Sequence, residues 1–518
     1  MERRSLLKGA AGSALAASAA GLSGMAMGQQ GRKILVIASN QDIPNFDPHV
    51  ATGYSASMLL RNTYDSLVRV EGSPVKVVPH LAASWMASPN GLEYNFKLDP
   101  AARFNDGSPV TAEAVVYSLQ RTLRLAKGNA WMINGIVDPA GMQAVDASTV
   151  RIRLLKPFAA FLSVLPWQFI VNHKLVEANK GSDDGQDYLR KTLSGSGRFI
   201  VKRAEQGNLY EFERVAKPWK GSGNLDGAIW KIVRETSTQR LMVARGDAHI
   251  ALDLTSEDMD ALKDRPGLRL IMEPEYRTFS IKMNTANGPL TDINLRKAIS
   301  YVYNYQAMLD AAGYAELMVG PLPAGLSAEP KLVVPRTNLD LARSFLAKSK
   351  YPNGGVKLAM VHVVGLEQQR QWSLVLLDGL KKLNLDLDIR AATFPDMIAM
   401  AKTPQTTPDF FPVYQTANYA DPDNIAYASY HSARNGGWQN PVYKNAKVDE
   451  LIEKGRAEND PRKRPAIYAE LERTLVEDAP DIFGVLEKRR IAMRTEVQDW
   501  VFTPVASNAI ELLNLSLK

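Results

Sequence analysis

Phe104-Asn105-Asp106-Gly107-Ser108-Pro109-Val110-Thr111-Ala112-Glu113-Ala114-Val115 packs a turn, a cap and a helix start into one short stretch. Asn-Asp-Gly is a turn signal. Thr111 stands where a helix N-cap hydroxyl is needed and Glu113 falls in the first turn, so a helix is predicted over 114–124. Just upstream, Leu92-Glu93-Tyr94-Asn95-Phe96-Lys97-Leu98 alternates apolar and polar residues, and 150–155 does so again. That period of two marks half-buried strands. Strand, turn, capped helix and strand within one stretch point to a mixed α/β chain.

The same mixture continues outward. Residues 33–39 read KILVIAS, a buried strand; 56–70 reads as a helix; 198–203 and 209–214 read as a strand pair around Gln206-Gly207-Asn208. Residues 236–245 read as a helix closed by Gly246-Asp247. Residues 279–283 alternate as a strand and 292–312 read as one long helix. Strand, helix and strand follow at 356–361, 368–383 and 385–389, and 461–478 reads as a charge-rich helix. The predicted class is α/β with mixed sheets and flanking helices. A chain of 518 residues exceeds what one core supports, so two or three domains are expected, although no linker shows in the composition.

The chain has no cysteine, which removes disulfides, thiolate metal sites and Cys nucleophiles. Net charge is +7, of which Glu2, Arg3, Arg4 and Lys8 contribute +2. Over residues 29–518 the remaining +5 is mild, and Lys and Arg are scattered apart from short clusters such as Lys488-Arg489-Arg490. A nucleic-acid binder would gather them on one face, so no nucleic-acid partner is expected.

Met1-Glu2-Arg3-Arg4-Ser5-Leu6-Leu7-Lys8 followed by an Ala/Gly-rich apolar stretch to about Ala20 resembles a twin-arginine export signal. The stretch is too short and too weakly apolar for a permanent membrane span. Ala26-Met27-Gly28 offers small residues for cleavage after Gly28, and no Cys follows for lipid attachment. Residues 1–28 are therefore expected to be removed, leaving an exported, periplasmic chain.

Catalytic signatures are missing. His49, His80, His173, His249, His362 and His431 form no His-x-x-x-His or His-Glu-x-x-His pair. There is no Gly-x-Ser-x-Gly elbow and no phosphate loop. Gly195-Ser196-Gly197 lacks the third glycine of a dinucleotide fingerprint. Asp421-Pro422-Asp423-Asn424 is the densest polar cluster. It reads either as a turn and helix cap or as part of a ligand cleft, since Tyr414, Tyr419, Tyr427, Tyr430 and Trp438 flank it. Ile425 and Ala426 break a calcium-loop pattern. No catalytic residue, metal ligand or cofactor is expected, and the chain reads as a binding protein, not an enzyme.

Ordered blocks carry a family resemblance across almost the whole chain. Phe46-Asp47-Pro48 with Tyr64-Asp65-Ser66-Leu67-Val68, then 78–85 (VPHLAASW), 91–98 and the opening block 104–115 resemble the large extracytoplasmic solute-binding family 5, which serves peptide, nickel and opine importers. Gly195-Ser196-Gly197-Arg198-Phe199, 295–299, 320–323 and 460–464 add further blocks. The resemblance implies a two-lobed periplasmic binding protein fold with an extra subdomain, the ligand cleft lying between lobes that close about a hinge. It places lobe I at 29–279 with a subdomain near 61–190, lobe II at 280–482, and a C-terminal return to lobe I over 483–518. It implies a monomer that takes a small-molecule or peptide ligand to the permease subunits of an ABC importer. A nickel complex, with His431 and Arg277 available, or an oligosaccharide are the other cargoes of such a fold. A periplasmic hydrolase is the alternative of another class.

Peptide-binding members grip the peptide amine with an acid in the pattern Ala-Asp-Tyr-x-x-Pro. Here the stretch is Ala417-Asn418-Tyr419-Ala420-Asp421-Pro422, and Asn418 stands in the acid's place. An amide cannot supply the charge-assisted bond an ammonium needs. Short peptides thus compete with opines, conjugates and sugars as ligands. The ligand is expected near Tyr276, Arg277, Trp372, Tyr414, Asn418, Tyr419 and Asp421. Arg277 either forks a ligand carboxylate or pairs with Glu273 or Glu275.

Overall fold

A computed structural model of the chain describes residues 31–51, 54–221, 223–329, 332–505 and 510–518. The export segment expected over 1–28 lies outside the described residues. Among those described, eleven strands share one mixed sheet that runs through both lobes. At one end Ile34–Ser39 lies parallel to Gly227–Ile232, which continues antiparallel through Leu209–Arg214 to Phe199–Glu205. At the other end Val356–Val363 runs parallel to Leu385–Ala392.

Two long strands join the ends. Leu268–Met283 and Asp481–Arg494 pair antiparallel, in register from Leu268 opposite Arg494 to Pro274 opposite Lys488. The ladder then breaks and resumes with Thr278 opposite Leu486. Pro274 has no N–H to give, and the skipped residues are Glu275, Tyr276 and Arg277. On one side of the break Asp481–Arg494 pairs with Ile250–Ala251; on the other, Leu268–Met283 pairs with Phe410–Thr416. The strand expected at 279–283 is thus the second part of a sixteen-residue strand. Its first part, Leu268-Arg269-Leu270-Ile271-Met272-Glu273, is not among the strands expected from the sequence.

Each region has its own apolar core. Ala82–Ala87, Glu93–Leu98, Thr149–Leu154 and Val137–Asp146 form a separate four-stranded antiparallel sheet. Against it packs the helix Ala112–Leu125, capped by the Thr111 hydroxyl as expected, around Phe96, Leu119, Val150 and Ile152. Gly107 closes the turn at φ +87, a conformation that favours glycine. One lobe centres on Leu35, Trp230 and Ile491. The other centres on Ile281, Ile299, Met360 and Trp372, with a neighbouring cluster around Ile425, Tyr468 and Leu471.

Three helix boundaries differ from expectation. The helix expected over 56–70 ends at Thr63, and Asp65–Ser66 and Val68–Glu71 are strands. Tyr64, Leu67 and Val68 are buried at and between these short strands and not along a helix face, so tertiary packing overrides the spacing. The segment Gly195-Ser196-Gly197 packs onto this corner; a Cβ on Gly197 would lie 2.4 Å from the Thr63 carbonyl carbon, which accounts for the glycine. The helix expected over 292–312 is two helices, Ile293–Val302 and Tyr305–Ala312, because Asn304 leaves the helix to accept the Ala307 N–H at 3.0 Å as a new cap. The helix expected from 461 starts at Arg464, with Pro465 in its first turn.

Candidate functional site

The strand Phe410–Thr416 delivers the chain to the junction of the two lobes, where the Ala417 N–H donates to the Tyr276 carbonyl at 2.7 Å. A short loop follows, and the helix Pro422–Tyr430 begins with Asp421 as its N-cap, accepting from the Asp423 N–H at 2.9 Å. Asp421-Pro422-Asp423-Asn424 is therefore a cap with proline in the first turn. The Asn418 N–H donates to the Asn424 Oδ1 at 3.3 Å, tying the loop to its own helix.

Beside this loop lies a cavity of about 530 Å³. Trp131, Met132 and Lys156 line it from the four-stranded subdomain side, and Asn418, Asn424, Arg434 and Arg456 from the other lobe. Both sides are joined around it. The Trp167 indole N–H donates to the Asn418 carbonyl, the Ala159 N–H to the Arg456 carbonyl at 2.9 Å, and Lys156 pairs with Glu453 at 3.3 Å. Tyr419 is buried within the subdomain's apolar cluster, its ring 6.4 Å from that of Trp131.

The acids near the loop have protein partners, although the buried Oδ1 of Asp423 makes no hydrogen bond. Asp421 takes a two-pronged bond from Arg464 at 2.6 and 2.7 Å, and Arg464 also donates to the Gly455 carbonyl. Asp423 is buried, accepts the Tyr419 hydroxyl at 2.8 Å and lies 3.6 Å from the Arg456 guanidinium. Burial pushes its carboxyl up to about 6, against the pull of Arg456. Arg456 stacks 3.8 Å above the Tyr427 ring. Its Nε and one terminal nitrogen make no hydrogen bond, nor does the Nδ2 of Asn424, which is 3% exposed.

The seven expected ligand residues do not share one cavity. Asn418 and Tyr419 line it. Asp421 sits one turn behind, holding Arg464. Tyr276, Arg277 and Tyr414 lie at the strand break: the Tyr276 hydroxyl donates to the Gly325 carbonyl, and Arg277 stacks over the Tyr414 ring at 4.6 Å. Arg277 pairs at 3.0 Å with Glu487, across the sheet. Trp372 lies in the core instead. It is fully buried, its ring centroid 3.8 Å from that of Phe279, and its indole donates to the Met308 carbonyl at 3.0 Å.

Of the flanking aromatics, Tyr427 lines the cavity, Tyr430 donates to buried Asp481, and Trp438 packs on Phe394 and Phe411. Sequence reasoning misses Trp131, Lys156, Arg434 and Arg456. No spacing pattern ties them to Asn418; only the closing of subdomain on lobe brings them together. A second cavity of about 560 Å³ adjoins Pro422 and Arg464, is lined by Tyr94, Leu162, Leu326 and Tyr468, and holds none of the seven. Among the described residues no three His, Asp or Glu side chains gather as a metal site, and no helix is long and apolar enough to cross a membrane.

Two lobes joined by crossing strands, with a polar cavity between them, define the class of hinged solute-binding proteins. The chain belongs to the bacterial extracellular solute-binding proteins, family 5, whose middle-region model matches residues 76–437. It is thus the solute-binding component of an ABC importer. Over 502 residues it is 27% identical to the probable D,D-dipeptide-binding periplasmic protein DdpA of Escherichia coli K12, covering 94% of each chain. In fold it is similar to the periplasmic binding protein DppA of Helicobacter pylori in complex with the peptide STSA, with a TM-score of 0.79 and 21% identity over 95% of this chain and 99% of that one. It is similar also to AgaA of A. tumefaciens R10 in complex with agropinic acid, with a TM-score of 0.76 and 21% identity over 94% and 99%.

Proposed function

We propose that the protein captures a short peptide, opine or related amino-acid conjugate in the cleft beside Asn418 and delivers it to the membrane permease of its importer. The observation that carries this is the cavity itself. At about 530 Å³ it suits a small ligand, and its walls come from both lobes, so a ligand filling it holds the lobes together. The ligands named for the similar proteins, a D,D-dipeptide, the peptide STSA and agropinic acid, fall in the same class. Asn418 and Tyr419 meet the ligand directly. Asp421 fixes their loop, and Tyr276, Arg277 and Tyr414 work at the hinge. The lobes divide at 279/280 and 482/483, near the break in the crossing strands. The protein works as a monomer in the periplasm after twin-arginine export and loss of residues 1–28.

A thermal-shift screen of short peptides, opines and amino-acid conjugates tests the reading. A ligand at a hundred times its Kd adds about 2.7 kcal/mol of stability, and small-angle scattering of that complex should show a smaller radius of gyration. A screen in which no member of these classes stabilises the protein would refute it.

A further inference from the structure

We propose that the ligand is an anion with no free ammonium group, its carboxylate taken by Arg434 and Arg456 and its blocked, uncharged end by Asn418. The inference rests on the Asn418 cavity being the ligand site and specifies what that site selects.

Charge around the cavity is one-sided. Lys156, Arg434 and Arg456 line it, and no Asp or Glu does. The nearby acids lie outside the cavity lining: Asp421 holds Arg464, Asp423 accepts the Tyr419 hydroxyl on Oδ2 while its buried Oδ1 makes no hydrogen bond and lies 3.6 Å from Arg456, and Glu453 lies 3.3 Å from Lys156 and 3.4 Å from His431. Neither Asp421 nor Asp423 lines the cavity, so neither stands in for an acid at Asn418. The guanidinium of Arg434, an exposed residue, takes part in none of the ion pairs or hydrogen bonds among the described residues. Arg456 is 6% exposed and still has two nitrogens without a hydrogen bond.

The amides point the same way. Asn424 uses its Oδ1 for the Asn418 N–H, which leaves its Nδ2 as the group without a partner. Buried donors without partners are costly, and a guanidinium is a fork shaped for carboxylate. A carboxylate entering here meets the exposed guanidinium of Arg434, with the buried unfilled donors of Arg456 and Asn424 behind the wall. An ammonium meets like charge and no carboxylate to receive it.

Calorimetric titration with three probes on one dipeptide scaffold decides the matter: alanyl-alanine, N-acetyl-alanyl-alanine and alanyl-alanine amide. The acetylated anion should bind most tightly and the cationic amide least. One charge-assisted bond gained or lost separates them by on the order of tenfold or more. Asn418→Asp should narrow or reverse that order. Arg434→Gln should weaken the acetylated probe while the unfolding midpoint stays in place. If the amide binds the wild-type protein as tightly as the acetylated probe, the charge assignment is overturned while the cleft remains the ligand site. If none of the three binds, the charge of any compound found in the wider screen decides. A cation without an anionic group overturns the proposal, an anion supports it, and an empty screen removes the binding reading along with it.

Discussion

The indole N–H of Trp167, on the subdomain, donates to the carbonyl of Asn418, on the facing lobe. This bond joins the two sides of the cavity at Asn418. It links the position of the loop after Phe410–Thr416 to the approach of the subdomain. Trp167→Phe keeps the ring and removes the donor, leaving the Asn418 carbonyl unpaired. A hydrogen bond of this kind contributes about 1 kcal/mol, so ligand affinity should fall several-fold by calorimetry, with a smaller change in the ligand-free melting temperature. An unchanged Kd with a lowered melting temperature would make Trp167 a packing residue only.

Asp421 is both a helix cap and the partner of Arg464. Removing one member of a buried pair leaves the other charge uncompensated, a cost of about 3–5 kcal/mol, and the lost cap adds about 1 kcal/mol. Asp421→Ala should therefore strongly lower the urea midpoint. Asp421→Asn keeps a capping oxygen and should cost less. Equal midpoints for the two variants would mean the cap contributes nothing.

Trp372, a ligand residue on the sequence reading, lies in the core. Trp372→Ala should cost about 3–5 kcal/mol through the cavity it leaves. Trp372→Phe strands the Met308 carbonyl and should cost about 1–3 kcal/mol. Ligand Kd, measured on the Phe variant, should stay within about twofold of the wild type. A larger loss of affinity would return Trp372 to the binding site.

Asp423 makes stability depend on pH in a defined direction. Its folded carboxyl is raised from the ordinary value of 3.8 to about 6 by burial. Between those values the folded chain holds a proton that the unfolded chain has released, so the Asp423 contribution falls as pH rises. Asp423→Asn removes the titration. The unfolding free energy of the variant minus that of the wild type should therefore grow from about pH 4 to about pH 6, with a slope of at most about 1.4 kcal/mol per pH unit. A difference that is flat across this window would place the carboxyl at its ordinary value.

Export is predicted from the Arg3-Arg4-Ser5-Leu6-Leu7-Lys8 string. Arg3→Lys with Arg4→Lys should leave the uncleaved precursor in the cytoplasm, read by fractionation and immunoblotting. Periplasmic delivery at the wild-type rate would rule out the twin-arginine route.

Most local structure is legible in the residues. Alternation in 93–98 and 149–154, the Thr111 cap, the Gly107 turn and the Gly246 stop each rest on neighbours within a few positions, so short windows carry them. Ordered blocks from Phe46 to Arg464 carry the family in the same way. Errors come where partners are distant. Residues 64–70 space their apolar side chains like a helix but bury them through strand partners at Phe169–Ile170 and Lys76–Pro79.

The sequence by itself determined most element types, the family, the absence of thiol chemistry and the amide at position 418. Only the tertiary structure decided what surrounds Asn418. Whether Asp421 is free for a ligand depends on Arg464, 43 residues later, and the cavity's charge depends on Lys156, Arg434 and Arg456 meeting across the lobes. The hinge likewise depends on the register of two strands far apart in the chain, Leu268–Met283 and Asp481–Arg494. Secondary structure follows from short-range sterics and hydrogen bonding along the chain. A binding site follows from which distant side chains the packed lobes bring within a few ångströms, and no local pattern encodes that.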